Sequence, residues 1–291
     1  MTHPIPLAVI GGSGFYEMPG LTDIEEVAIE TPFGPPSDVI HIGTLEGARV
    51  AFLARHGRGH RLLPSELPQR ANFWALKSLG VERVLGVSAV GSLRQDYRPG
   101  HVVVPHQLID RTHGRPATFF GNGVVAHISF AEPFCPAMRH ALREAAEGAG
   151  AIVHRDGVYV VMEGPAFSTR AESELHRAWR ADLIGMTALP EAKLAREAEL
   201  CYATLAAVTD FDTWHDAHES VDAALVFETL RKNVAVSQEA VRHLAKALPA
   251  RDPCGCASAL DAALVTEPDS ISEENRERLH PILTRRLGVR P

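Results

Sequence analysis

The chain has 291 residues, 45% of them hydrophobic and 22% charged, and a formal net charge of -7. That length and composition suit one large α/β core, and the acidic balance argues against a nucleic-acid binder or a reader of anionic membrane surfaces. No apolar run reaches the ~18 residues that a membrane span needs. The start, Met-Thr-His-Pro-Ile-Pro-Leu, lacks the basic and long apolar parts of a signal peptide, so a cytoplasmic protein is expected.

In chain order, the apolar run from Ile5 to Ile10 stops at Gly11-Gly12-Ser13-Gly14 and reads as a strand feeding a glycine turn. Arg49 to Ala54 is a second strand, ended by Arg55-His56-Gly57. Ala71 to Leu79 has helical spacing and stops at Gly80, after which Val81 to Val90 returns as a strand closed by Gly91-Ser92. Pro136 to Glu147 reads as an Ala-rich amphipathic helix, Gly157 to Met162 as a β-branched strand, and Asp182 to Met186 as a short one. Pro190 suits a first helical position for a helix to Leu200, and Cys201 to Val208 is a further buried strand. Val221 to Leu248 is helical by spacing, with Ser220 as N-cap. The alternation predicts a single α/β domain, a central mixed β-sheet flanked by helices, over residues 1–250. Residues 251–291 read as a C-terminal extension with a short helix, either a solvated surface helix or an arm toward a neighbouring subunit.

Chemistry gathers at the strand ends. Gly11-Gly12-Ser13-Gly14 offers backbone N–H groups and a hydroxyl to phosphate oxygens. It fits no dinucleotide fingerprint, because Glu17 stands where the third glycine belongs, and no Gly-Lys-Ser/Thr follows to make a Walker loop. Arg55-His56 suits an oxyanion. The neighbouring Arg58, His60 and Arg61 equally suit a surface basic cluster. Ser88-Ala89 and Thr187 end two more strands, and four such ends together make one anion site. Phe167 fits either the core or a flat heterocycle, and His127 fits either the core or a pocket wall. Asp210 and Asp212, one residue apart where a buried strand leaves the sheet, are either a surface turn or a pair that grips donor groups of a polar ligand. The four cysteines are too few for a disulfide scaffold. Cys254-Gly255-Cys256 has no second pair or histidines nearby in sequence to suggest zinc, so incidental or structural cysteines are expected over a redox pair.

These segments together resemble the 5′-methylthioadenosine phosphorylases of the trimeric purine nucleoside phosphorylase superfamily. The resemblance runs over about residues 5–250. It rests on Ile10-Gly-Gly-Ser-Gly, Thr31-Pro-Phe-Gly-Pro-Pro-Ser-Asp38, Leu53-Ala-Arg-His-Gly57, Glu132-Pro-Phe-Cys-Pro136, Glu163-Gly-Pro, Phe167-Ser-Thr-Arg-Ala-Glu-Ser173, Gly185-Met-Thr187, Pro190-Glu191 and Thr209-Asp-Phe-Asp-Thr-Trp214. It implies a homotrimer that phosphorolyses purine nucleosides with inorganic phosphate as co-substrate and without a metal or organic cofactor. Ser13, Arg55, His56, Ser88, Ala89 and Thr187 match the family's phosphate contacts. Met186 matches the residue whose backbone meets the ribose, Phe167, with Ser168 beside it, the aromatic that packs on the base, and Asp210 and Asp212 the carboxylates that read the purine. His127, Val221, Ala223 and Val226 fall near the apolar pocket for the 5′ group.

The resemblance further implies Asp210 as the general acid at purine N7, and a carboxylate rather than an asparagine there favours a 6-aminopurine. Three departures stand out: Gly185 in place of a common asparagine, Ala166 in place of an arginine, and Pro68-Gln69 in place of Asn-Tyr. They admit plain adenosine, and Gly185-Met-Thr187 also occurs in methylthioinosine-specific relatives. Adenosine, 5′-methylthioinosine and other 6-oxopurine nucleosides are therefore the alternative substrates to methylthioadenosine.

Overall fold

The structure, a computed structural model, describes residues 5–12, 18–215, 223–249 and 254–288. An 11-stranded mixed sheet forms the centre. Leu7–Gly11 (β1) lies between Ala48–Ala54 (β4) and Arg83–Ser92 (β5), parallel to both. Cys201–Asp210 (β11) runs parallel along the other edge of β5. β1 and β11 are buried at every residue, because helices cover both faces of this central part; that is why their sequences are continuous apolar runs without polar alternation. Thr22–Val27 (β2) and Ile40–Leu45 (β3) add antiparallel strands beyond β4. Leu183–Gly185 (β10) pairs antiparallel with the far end of β5, and Val158–Met162 (β9) and Gln107–Arg111 (β7) continue from it in parallel. Val102–Val103 (β6) and Val153–His154 (β8) branch off β11.

The two faces carry separate cores. Leu7 and Val9 of β1 join Leu85, Met138, Leu142, Val241 and Leu244 on one side, where Pro136–Gly148 (α2) and Ala223–Lys246 (α5) lie. The alternate residues Ala8 and Ile10 join Phe73, Leu76, Leu194 and Tyr202 on the other, beneath Gln69–Ser78 (α1) and Ala188–Glu197 (α4). The remaining helices are Arg170–Ala178 (α3), Glu273–Arg278 (α6) and His280–Leu287 (α7). The C-terminal segment holds these last two short helices instead of the one expected, and it shares the main core: Leu260, Ile271, Leu279, Ile282 and Leu283 are buried in the cluster of Phe73 and Leu76. Its attachment includes the Trp74 indole N–H, which donates to the Arg278 carbonyl at 3.0 Å.

The expected strands and helices are present with ends moved by a few residues. α4 opens at Ala188, yet Leu189 has extended dihedrals, so its regular turns begin at Pro190 as anticipated. Strands β2, β3 and β6 to β8 had no clear sequence signal; β2 and β7 are exposed or half-buried edges, and β6 and β8 have only two residues each. The N-cap assigned to Ser220 lies outside the described residues, as does Val221.

One feature of the topology places the site. β1 pairs with β5 over Val84–Gly86, and β10 pairs with the same edge only at Gly91 and Ser92. Between them, Val87 to Val90 has a neighbour on the β11 side alone. The sheet forks there, and a fork of this kind leaves a crevice at the carboxyl ends of strands, where α/β folds bind ligands.

Candidate active site in the fork of the sheet

A cavity of about 290 Å³ fills that fork, lined by Val87 to Gly91 of β5 and by residues from the ends of β1, β4, β9, β10 and β11. One end is made of donors. The backbone N–H of Arg55 donates to Gly11 O at 2.9 Å, so the β1–β4 ladder runs on into the glycine turn and delivers Arg55 to the crevice. Its side chain is 2% exposed. The guanidinium Nε donates to Glu191 Oε1 at 2.5 Å and Nη2 to Glu191 Oε2 at 3.3 Å; Nη1 donates to Val87 O at 2.7 Å and Nη2 to Ile10 O at 3.0 Å. Four of its five N–H groups are thus engaged within the protein, which leaves one for a ligand among the described residues. Glu191 is itself fully buried and also accepts from the Tyr202 hydroxyl at 2.8 Å and the Gln69 amide at 3.3 Å.

His56 stands beside it with Nδ1 2.8 Å from Leu62 O. A carbonyl only accepts, so Nδ1 carries the proton and Nε2 holds the lone pair. Burial, reinforced by the charges of Arg55 and His60, pushes its pKa down to about 4 despite the favourable Leu62 contact. His60 stacks on it with ring centroids 4.2 Å apart and also lines the cavity. Ser88, Ala89 and Thr187 line the same end. The Ser88 and Tyr159 hydroxyls are buried without a partner among the described residues, and Tyr159 faces both Ser88 and Thr187. Ser13 falls outside the described residues; its neighbour Gly12 lines the cavity.

The other end is made of acids. β11 carries an irregularity between Val208 and Asp210, which shifts its register against β5 so that Asp210 pairs with Gly91. Such a bulge re-aims a side chain at the end of a strand. A Cβ on Gly91 would stand 2.8 Å from Asp210 Oδ1, so only glycine lets the carboxyl come this close. Asp210 Oδ1 accepts from the Asp212 N–H at 2.8 Å, and Oδ2 from the Thr209 hydroxyl at 2.7 Å. Asp212 adopts φ 52, a conformation that aspartate tolerates better than most residues. Its Oδ2 has no hydrogen-bond partner among the described residues, although the Ser173 and Ser168 hydroxyls are close by. Burial raises both carboxyls above the usual aspartate range, partly opposed at Asp210 by the Thr209 and Asp212 contacts; at Asp212 the neighbouring Asp210 adds to the rise. The following turn is held by Trp214, whose indole N–H donates to Ser92 O at 2.8 Å under the Arg177 guanidinium.

Between the two ends run Val90, Met162, Ile184 and Met186, with Phe167, 41% exposed, at the mouth. Arg115 clamps this wall: it donates to Met186 O at 2.7 Å, Leu189 O at 2.9 Å and Glu163 O at 2.5 Å, and pairs with the Glu163 carboxylate at 3.1 Å. Ser168 is buried behind Asp212 and does not line the cavity. Gly185 has a packing reason: a side chain there would collide with the Tyr159 hydroxyl, which occupies the space.

The expected residues therefore converge, with exceptions. His127 is exposed and lies outside this cavity; its backbone N–H donates to Ala263 O at 2.8 Å, because the 121–128 segment is laid against the C-terminal segment. Ala223 and Val226 belong to the first turns of α5, and their side chains lie outside the described residues. Sequence reading passed over Arg115 and Tyr159, whose partners are far away in the chain, and set His60 among surface charges. Glu191 had a signal only as part of Pro190-Glu191, one of the matched segments, with no role attached to it. Among the described residues, the one convergent set of three or more potential metal ligands is elsewhere, in the four cysteines.

A family model described as the phosphorylase superfamily matches residues 6–248. An S-methyl-5′-thioadenosine phosphorylase of Chloroflexus aurantiacus is 58% identical over 284 residues, 97% of this chain and 99% of that protein. Among solved structures, a methylthioadenosine phosphorylase from an antarctic soil metagenomic library is 48% identical with a TM-score of 0.91, covering 97% of this chain and all of that one. The Schistosoma mansoni methylthioadenosine phosphorylase in complex with adenine is 38% identical with a TM-score of 0.81, covering 89% of this chain and 96% of that one. No helix among the described residues is long and apolar enough to cross a membrane. The chain belongs to the phosphorylase superfamily and, within it, to the family of the S-methyl-5′-thioadenosine phosphorylases.

Proposed function

We propose that this protein cleaves 5′-methylthioadenosine with inorganic phosphate to adenine and 5-methylthioribose 1-phosphate, as a cytoplasmic homotrimer in methionine and purine salvage. The observation that carries the reading is one cavity with hydrogen-bond donors at one end and two buried carboxyls, their pKa values raised by burial, at the other.

The donor end suits phosphate in a particular way. The Arg55 charge is balanced by Glu191, and His56 is neutral near pH 7, so a dianion there meets oriented N–H and O–H dipoles more than net positive charge. Phosphate held so keeps its negative charge available, both to attack the anomeric carbon and to stabilise the cationic sugar that forms as the N-glycosidic bond breaks. With Nδ1–H given to Leu62 O, the lone pair on His56 Nε2 accepts from the P–OH of the monohydrogen phosphate dianion. At the other end adenine leaves readily only as N7 takes a proton. Asp210, whose proton affinity is raised by burial, supplies it, and Asp212, whose Oδ2 has no partner among the described residues, accepts from the N6 amino group. Phe167 covers the base at the mouth, and the Met186 segment supports the sugar. A group with the donor pattern of adenine fits this acid pair, whereas the 6-oxo group of hypoxanthine brings a second acceptor.

The test is release of the free base, adenine from methylthioadenosine and adenosine and hypoxanthine from methylthioinosine and inosine, with and without phosphate. The expected order places methylthioadenosine first, with no turnover in phosphate-free buffer. Faster cleavage of methylthioinosine than of methylthioadenosine overturns the proposal.

A further inference from the structure

All four cysteines of the chain meet at one point. Cys135 precedes Pro136 at the start of α2, Cys201 opens β11, and Cys254 and Cys256 flank Gly255 in the C-terminal segment. Their sulfurs all lie within 4.8 Å of one another, with Cys201 Sγ and Cys254 Sγ at 3.4 Å. Cys135, Cys201 and Cys256 are buried and Cys254 is half-buried. The second pair that the sequence lacked beside Cys254-Gly-Cys256 is therefore supplied by the fold, from two other elements.

We propose that these four thiolates form a closed tetrahedral site for a thiophilic divalent cation, zinc(II), that fastens the C-terminal segment to the sheet. Zinc–sulfur bonds of about 2.3 Å put the sulfurs of a tetrahedron about 3.8 Å apart, within the observed spread, so only small movements are needed. Two disulfides would require the sulfurs to sort into pairs about 2.05 Å apart. Here each sulfur faces three others and every cysteine is free. Incidental burial of small apolar residues accounts for a buried cysteine, but not for all four converging sulfur-first from three separate elements. Gly255 fits the same reading: it holds φ 75 although nothing crowds its Cβ position, so glycine serves the backbone turn that aims both neighbouring sulfurs one way.

The surroundings suit the charge and the access. Zinc(II) displaces one proton from each of four thiols to solvent, leaving a site of net charge minus two. The N-terminus of α2 at Cys135 and the Arg196 guanidinium near Cys256 face that charge. A groove of about 960 Å³, lined by Cys254, Gly255 and residues of α1 and α7, gives an entry path. Cys201 and Asp210 are opposite ends of β11, ~30 Å apart at the usual rise per residue, so the site is structural and not part of the phosphorolysis chemistry.

The test uses the whole protein purified under reducing conditions. Elemental analysis is expected to find one zinc per chain, with the thiols reacting only after a chelator removes it. The reduced, metal-free chain is then titrated with zinc alone and with cobalt(II), which is expected to give the intense thiolate charge-transfer and ligand-field absorption of a tetrahedral sulfur site. Cys254→Ser and Cys256→Ser should lose the metal and lower Tm by about 5 °C or more, with kcat on methylthioadenosine unchanged. Should the variants fail to fold, the cobalt spectrum of the unaltered chain decides. Stoichiometric iron in the same site supports the tetrathiolate with a different occupant. A chain that takes up no metal, whether its thiols are free or peptide mapping finds them paired as disulfides, overturns the proposal.

Discussion

The two ends of the cavity treat charge in opposite ways. At the donor end the charged residue is completed from inside the protein: Arg55 gives four of its five N–H groups to Glu191 and to the carbonyls of Val87 and Ile10. At the acid end one acid is left incomplete: Asp212 Oδ2 has no partner among the described residues, and both carboxyls are raised by burial. The first arrangement spends an ion pair on rigidity and leaves a nearly neutral cradle for an anion. The second sets carboxyls of raised proton affinity in the cavity. A buried charge with a partner is a structural part, and a buried acid without one is a reactive part.

Breaking the donor end at its base should have the largest effect. Glu191→Ala strands a buried guanidinium and leaves the Tyr202 hydroxyl without its acceptor, and should lower unfolding free energy by about 3–5 kcal/mol. Urea denaturation measures it, and a variant as stable as the parent would show that Arg55 does not depend on this pairing.

The next effect is on pH dependence. The depressed pKa of His56, about 4 against 6.5 for the unfolded chain, means that the folded state resists its protonation. The stability so gained is whole above the unfolded value and is lost as pH falls through 6.5 toward 4, up to about 3 kcal/mol. Asp210 and Asp212, with raised values, act in the other sense, since their protonation on acidification favours the fold. The His56 part is isolated by comparing the acid slopes of the parent and His56→Gln; equal slopes would remove it.

At the acid end, Asp210→Asn should lower kcat/KM on methylthioadenosine about 100-fold or more, with a smaller loss on methylthioinosine, because the amide neither donates a proton to N7 nor reads the amino group as a carboxyl does. An equal loss on both substrates would separate Asp210 from base choice. The same mechanism requires activity in the parent to fall as pH rises through the raised Asp210 pKa.

The smallest change is Gly91→Ala. Its Cβ would stand 2.8 Å from Asp210 Oδ1 and force the carboxyl to shift. Overpacking of this kind costs about 1–3 kcal/mol, and kcat should fall while the donor end, read by KM for phosphate, stays intact. A fall in phosphate affinity instead would mean that the two ends are not independent.

Much of this was legible from residues in order. Apolar runs closed by glycine marked β1, β4, β5 and β11, and the polar residues at their ends, Arg55-His56, Ser88 and Asp210, do line one cavity. The illegible parts are those whose partners lie far along the chain. Arg115 gave no local sign because its contacts are the carbonyls of Met186 and Leu189, more than 70 positions away. His127 could be read as core or pocket from its neighbours; it is exposed and outside the cavity of this chain, because the fold lays its segment against Ala263. Gly185 looked like a lost side chain, and Tyr159 turns out to occupy its place.

The local chemistry of the chain settled which residue types stand at which strand ends, since strand periodicity, glycine turns and the aversion of buried strands to charge all act over a few residues. Where those ends meet was settled by the order of strands around β5. The fork between β1 and β10, the pairing of Arg55 with Glu191 and the meeting of four cysteines each join segments distant in sequence. Such contacts arise from sheet topology and core packing, and no local spacing encodes them.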